Sequence, residues 1–260
     1  MLSQQECEDF ETRGVLVLPK FLPETTIRQL LEAIDSLQAG AAYGTNGRWD
    51  MRNCLPRHGY LIDLLGDQRL SEITIELLRS SNIKMLGSHI VKMQTGGEAK
   101  TLPVSWHRDG GVLLAELPDP LPPLFIKTGF CISGTQEPEA GELLVVPGSN
   151  RLIGSPVSEP DTGWPLGFSR ILMSPGDAMI LDWRTWHAVS RNASNIVRRT
   201  LYFTFGYRWL SAMDYQVMPE ELLNLSPVYK QLLGGGTELG NYLPTADEIP
   251  LRIFDSEPVN

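Results

Sequence analysis

The sequence predicts a mostly β domain with flanking helices, a barrel or sandwich with helices packed on one face. Three observations lead there. The first third of the chain carries helical patterning. From residue 83 onward the period changes to short runs rich in β-branched and aromatic residues. Those runs are separated by turn signals at Gly96-Gly97, Pro138 to Gly141, Pro147-Gly148 and Pro175-Gly176.

Taken in order, residues 3–13 read as a first helix with Ser3 as N-cap and Gly14 as terminator. Val15 to Leu18 make a short apolar strand. Pro23-Glu24 opens a second helix, with Leu30, Leu31, Ile34 and Leu37 at helical spacing. Residues 39–60, rich in Gly, Asn, Arg and Pro, read as irregular loop, and 61–80 as helix again. Strands are expected at 84–94, 124–133, 142–146, 171–173, 178–183 and 198–207, then a helix over 219–234 and a Gly/Pro-rich tail wrapping the surface. No internal repeat or low-complexity linker divides the chain. Residues 1–260 are therefore expected to form a single domain: a helical N-terminal third, a β core over about 83–210, and a C-terminal helix and tail.

Composition narrows the function. The formal net charge of −9 argues against non-specific nucleic-acid binding, which needs clustered Lys and Arg. Three widely spaced cysteines, Cys7, Cys54 and Cys131, form no CxxC pair and suit a reduced compartment. The start, MLSQQECEDFETRG, has no apolar signal core, and no apolar run reaches the roughly 18 residues of a membrane span, so a cytoplasmic protein with no membrane partner is expected.

The chemistry-bearing residues are few. Of four histidines, His107 stands in an H-x-D pair with Asp109, and residues i and i+2 of an extended segment point to the same side. An imidazole and a carboxylate can therefore converge on one ion, although an H-x-D pair by itself also fits a surface hydrogen bond. His187, after the strand that ends at Trp183, offers a third ligand from a distant part of the core. Two histidines and one carboxylate on one face of an ion leave other positions open, which suits Fe(II) that must bind a cosubstrate and O2 together. Arg198 opens the last strand, and a hairpin through Ser190 to Ile196 would bring it back beside His187. Arg guanidinium pairs with carboxylates in bidentate fashion. Alternation puts Arg198, Thr200 and Tyr202 on one face and Arg199, Leu201 and Phe203 on the other.

These motifs, Trp106-His107-Arg108-Asp109, Glu139-Ala140-Gly141 to Pro147-Gly148-Ser149-Asn150, Gly176-Asp177, and His187 to Arg198, resemble the phytanoyl-CoA dioxygenase family over roughly residues 10–235. The resemblance implies a double-stranded β-helix, a jelly-roll or cupin-like barrel. It also implies Fe(II) on His107, Asp109 and His187, and 2-oxoglutarate anchored by Arg198, with Phe130 lining the cosubstrate pocket. The position two residues after the distal histidine, often Ser in the family, is Val189 here. The activity implied is an oxygenase reaction using Fe(II), 2-oxoglutarate and O2 on a small-molecule substrate. Hydroxylation is the default outcome, and desaturation, ring formation or demethylation belong to the same chemistry. No basic cluster suits coenzyme A, which favours a small secondary metabolite.

Secondary assignments follow. His89, on the strand 86–93, is a core histidine or a contact to cosubstrate or substrate, and Thr200 goes with Arg198 to the cosubstrate. Trp49, Arg52 and Trp106 are assigned to the substrate, the first two on a loop able to form a lid. Asp182 is the other candidate for the carboxylate ligand. Two rival classes use the same residues. One is a zinc or manganese isomerase or hydrolase on a cupin-like barrel, and the other is a barrel that binds ligand without catalysis.

Overall fold

The computed structural model describes residues 2–44, 47–96, 104–111, 113–214, 226–234 and 249–254. The first helix, α1 (Gln4–Arg13), begins at a reciprocal cap: the Ser3 side chain accepts from the Glu6 amide while Glu6 returns to the Ser3 N–H. It ends at Gly14, whose φ of 73° is the left-handed conformation glycine adopts without strain. Strand β1 (Val15–Leu18) and helix α2 (Glu24–Gln38) follow as the sequence suggests.

The stretch 39–60 is not all loop. Arg48–Arg52 forms β2, an edge strand, followed by a 3-10 turn at Leu55–Arg57 and by α3 (Gly59–Leu65). His58 caps α3: its Nδ1 accepts from the Tyr60 amide. The helical region expected over 61–80 is broken after Gly66, and Asp67 caps α4 (Gln68–Leu78).

Seven further strands complete the β core: β3 (Ile83–Met93), β4 (Phe125–Ser133), β5 (Leu143–Val145), β6 (Ser169–Ile171), β7 (Ala178–Asp182), β8 (His187–Val189) and β9 (Arg198–Tyr207). A one-turn helix, α5 (Leu113–Glu116), precedes β4, and α6 (Pro227–Leu232) lies within the expected C-terminal helix. The rest of that expected helix, 219–225, and most of the tail lie outside the described residues.

Among the described residues the strands form two sheets, both antiparallel. The larger has the order β1-β7-β4-β9-β3-β2 and the smaller β6-β5-β8. They make a jelly-roll of two layers; no closed barrel forms, because no ladder of hydrogen bonds joins the sheets edge to edge. The hairpin expected between His187 and Arg198 is absent for the same reason: β8 pairs with β5 in the small sheet, and β9 pairs with β3 and β4 in the large one.

Period-2 alternation divides the large sheet into two faces. One face carries Ile90, Ile126, Phe130, Ile180, Leu201, Phe203 and Phe205, and it packs on the helices through Leu30, Ile34, Leu65 and Leu70. The other carries Val15, Val91, Cys131, Met179, Leu181 and Tyr202, and it meets Leu143, Val145 and Ile171 of the small sheet. The three cysteines are unpaired, and Cys54 and Cys131 are buried.

The N-terminal segment is pinned to the far end of β7. The Gly14 carbonyl accepts from the Asp182 amide at 2.9 Å and from the Thr185 hydroxyl at 3.0 Å. A β-carbon at Gly14 would sit 2.2 Å from Thr185 Oγ1. Gly14→Ala is expected to cost about 2 kcal/mol or more, combining left-handed backbone strain with that clash. A urea denaturation midpoint within error of the parent would refute it.

Candidate metal centre

Two reciprocal hydrogen bonds build the site. The His107 amide donates to the His187 carbonyl and the His187 amide to the His107 carbonyl, both at 2.9 Å. The pairing brings the imidazole centroids to 4.3 Å from each other. Asp109, two residues beyond His107, is held by its own amide, which donates to the Trp183 carbonyl at 3.1 Å. One ligand atom each from His107, Asp109 and His187 lies within 4.8 Å of the others. Asp182 is not part of this cluster; its carboxylate is taken by Arg184.

The protonation states suit a cation. His107 Nδ1 lies 3.0 Å from the Ser105 carbonyl and His187 Nδ1 2.9 Å from the Thr185 carbonyl. A carbonyl can only accept, so in both rings Nδ1 carries the proton and the Nε2 lone pair is left for an ion. Burial pulls His187 down to about 4, with Lys127 and His107 adding to it against the opposing pull of Asp109, so the ring is neutral near pH 7. Burial pushes Asp109 up, but the Lys127 ammonium outweighs it and brings the carboxyl down to about 2. Two imidazoles that present Nε2 and one carboxylate form a donor set suited to a divalent first-row metal.

A cavity of about 570 Å³ opens beside this cluster, between the sheets. Arg198 lines it from β9, as alternation requires, while Arg199 points to the helices and pairs with Asp35 of α2. Arg198 is 2% exposed; its Nη2 donates to the Tyr202 hydroxyl at 2.6 Å and its Nε is buried without an acceptor. A buried, partly unsatisfied guanidinium is costly unless a ligand completes it. Gly141, at φ 78°, makes room for this side chain: a β-carbon there would lie 2.7 Å from Arg198 Cδ. Ser190 is not turned to the cavity, because its hydroxyl is bound by the buried Glu142; Val189 lines the wall instead.

The remaining assignments divide. His89 and Arg52 line the cavity; His89 Nε2 meets Asp50 at 3.0 Å, and Asp50 also pairs with Arg48. Thr200 shares the inward face but is buried between Cys131 and Val91 in the register, outside the cavity lining. Phe130 is a correction. It faces the helices, against Phe21 and Phe203 at 5.9 and 5.7 Å, because its parity on β4 is opposite to that of Lys127. Trp49 is another, buried in the helix-side core because it alternates with Arg48 and Asp50. Trp106 packs edge-on against Trp164 and Phe168 and does not line the cavity. Just after Asp109, Gly110 and Gly111 also line the cavity.

Tyr202 lines the cavity on the face that alternation assigns it with Arg198, whereas Lys127, also in the lining, escapes motif-based reasoning. Lys127 Nζ lies 2.6 Å from Asp109 Oδ2 and 5.7 Å from the centre of the Tyr202 ring. The available signal was a lone lysine in the middle of Phe125-Ile126-Lys127-Thr128-Gly129-Phe130, a charge in an otherwise buried strand.

A jelly-roll with two histidines and a carboxylate beside a cavity lined by a buried arginine defines a metal-dependent enzyme site. The chain belongs to the phytanoyl-CoA dioxygenase family, whose model matches residues 10–200. That family is one of iron- and 2-oxoglutarate-dependent enzymes. A search of the curated proteins found no match. Among solved structures, the chain resembles the non-heme alpha ketoglutarate dependent carbocyclase SnoK from nogalamycin biosynthesis (18% identity, TM-score 0.64, covering 80% of this chain and 85% of that one). It also resembles the epimerase SnoN in complex with Fe3+, alpha ketoglutarate and nogalamycin RO (14%, 0.64, 79% and 83%). A third is HygX from Streptomyces hygroscopicus with nickel and 2-oxoglutarate bound (18%, 0.64, 82% and 90%). At these identities the likeness is one of fold. No described helix is long and apolar enough to cross a membrane.

Gly141→Ala is expected to displace Arg198 and to strain a left-handed turn, lowering both stability and the binding of any carboxylate ligand in the cavity. Titration with 2-oxoglutarate in the presence of a divalent ion, followed by tryptophan fluorescence, should show at least about tenfold weaker binding, equivalent to ~1.4 kcal/mol. Unchanged binding would show that Gly141 does not set the Arg198 position.

Proposed function

We propose that this chain is an Fe(II)- and 2-oxoglutarate-dependent oxygenase that hydroxylates an unactivated C–H bond of a small-molecule metabolite, in secondary metabolism. The observation that carries the reading is the convergence of His107, Asp109 and His187 within 4.8 Å beside a cavity that also holds the buried Arg198. Family membership supports the Fe(II) and 2-oxoglutarate dependence, and the folds of SnoK and SnoN, a carbocyclase and an epimerase of nogalamycin biosynthesis, support a small-molecule substrate; hydroxylation is the default outcome of that chemistry.

In this reading His107 and His187 present Nε2, and Asp109 one carboxylate oxygen, to Fe(II). Arg198, held by Tyr202 and left with an unsatisfied Nε–H, receives the distal carboxylate of 2-oxoglutarate. When bound there, iron(II) with 2-oxoglutarate and O2 would supply the oxidising power to attack a C–H bond, with succinate and CO2 as the cosubstrate's products. The chain contributes orientation and exclusion of water. Met179, Leu181, Leu143 and Val189 form the apolar wall of the cavity, and Arg52 and His89 supply polar groups to it. Hydroxylation needs no protein group beyond these. The 2-oxoglutarate reading gives the buried Arg198 a carboxylate partner, which a zinc isomerase or hydrolase would have to find in an anionic substrate.

The deciding experiment is anaerobic metal loading followed by a screen of candidate metabolites for substrate-stimulated succinate release. His187→Ala is expected to lose metal binding and 2-oxoglutarate turnover while keeping its circular dichroism spectrum, since the sheets are packed through residues other than the ligands. Normal iron binding by that variant would refute the ligand set.

Arg198→Ala should raise the 2-oxoglutarate requirement roughly 30-fold or more, since truncating one partner of a buried charge pair costs about 2–5 kcal/mol. Arg199→Ala, which loses a half-exposed pair with Asp35, should change it little. A larger effect at Arg199 would reverse the assignment.

A further inference from the structure

The two oxygens of Asp109 stand in different surroundings. Oδ1 lies 3.9 Å from His187 Nε2, and Oδ2 lies 2.6 Å from Lys127 Nζ. Lys127 comes from the centre of β4, with Phe125 and Gly129 on the same inward face, and its ammonium lies on the Tyr202 ring whose hydroxyl accepts from Arg198. A lysine in a buried strand needs a partner, and among the described residues Asp109 is the acid paired with it.

We propose that Lys127 is a positioning residue that occupies Oδ2 and so limits Asp109 to one-oxygen ligation through Oδ1. The proposal rests on the functional reading above. A carboxylate free to chelate through both oxygens would take a coordination position that cosubstrate or O2 requires. Holding Oδ2 on an ammonium prevents that. The arrangement has an electrostatic cost, because a fixed cation about 2.6 Å from a metal-binding carboxylate repels the incoming dication. This fixes the sign of the test: removing the lysine should tighten metal binding and weaken catalysis, whereas loss of a merely structural lysine would weaken both.

Lys127→Met keeps the length and apolar stem, and Lys127→Arg keeps the charge. Co(II) serves as the probe ion under anaerobic conditions with 2-oxoglutarate present. Its affinity is read by titration, and its visible d–d absorption reports coordination number. Lys127→Met is expected to bind Co(II) about 3-fold or more tighter, consistent with relief of like-charge repulsion. Its d–d absorption should be weaker, as coordination number rises. Turnover of the Fe(II) enzyme should fall at least about tenfold, with the substrate KM changed much less. Lys127→Arg should restore the parental spectrum and part of the turnover.

Weaker Co(II) binding with a lowered melting temperature would overturn the proposal in favour of a structural lysine. A parental spectrum with only the substrate KM raised would overturn it in favour of a substrate contact. Parental behaviour throughout would leave Lys127 without a role. Failure of the unsubstituted protein to bind Co(II) would instead overturn the metal-enzyme reading itself, along with this one.

Discussion

The paired backbone hydrogen bonds between His107 and His187 are the constraint on which the site depends. They join a segment that belongs to neither sheet to the edge of the small sheet, and they do so at the two residues whose side chains matter most. Because main-chain atoms do this work, the rings are brought together before any ion arrives. The rest of the architecture supports that clasp. The Trp183 carbonyl holds Asp109 in register, and Trp183 is itself fully buried, stacked on Phe125 and tied by its indole N–H to the Pro122 carbonyl.

The large sheet separates two environments by parity alone. On β9, Arg198, Tyr202 and Thr204 face the cavity, while Leu201, Phe203 and Phe205 face the helices. Charged residues follow the same rule: Lys92 and Arg199 both emerge on the helix side and share Asp35. The guanidinium that faces the cavity and the one beside it in sequence therefore serve different ends, one open to a ligand and one fastening α2 to the sheet.

Local periodicity made much of this legible. The H-x-D pair, the opposed faces of Arg198 and Arg199, the Ser3 cap and the β1 strand are each set by residues within a few positions of one another. What escaped needed knowledge of pairing partners. Reading 39–60 as loop hid β2, and without a strand there was no parity to show that Trp49 and Arg52 must point to opposite sides. Phe130 was placed by motif, whereas alternation from Lys127 puts it with the helices. The partner of β8 could not be read from sequence, because three residues pair equally well with any exposed edge. The facing positions of His187 and Arg198 arise from two sheets meeting, not from a hairpin.

The aim of each histidine is set within three residues. Nδ1 of His107 is bound by the Ser105 carbonyl and Nδ1 of His187 by the Thr185 carbonyl, each two positions upstream. Such a unit carries its own ring orientation and tautomer. Sequence outside it can drift without turning the ring, so long as the two short segments stay clasped. The two ligands therefore divide the work: each ring takes its tautomer and aim from its own backbone, and its place from the clasp and from neighbours such as Ser149, whose hydroxyl receives the Trp186 amide.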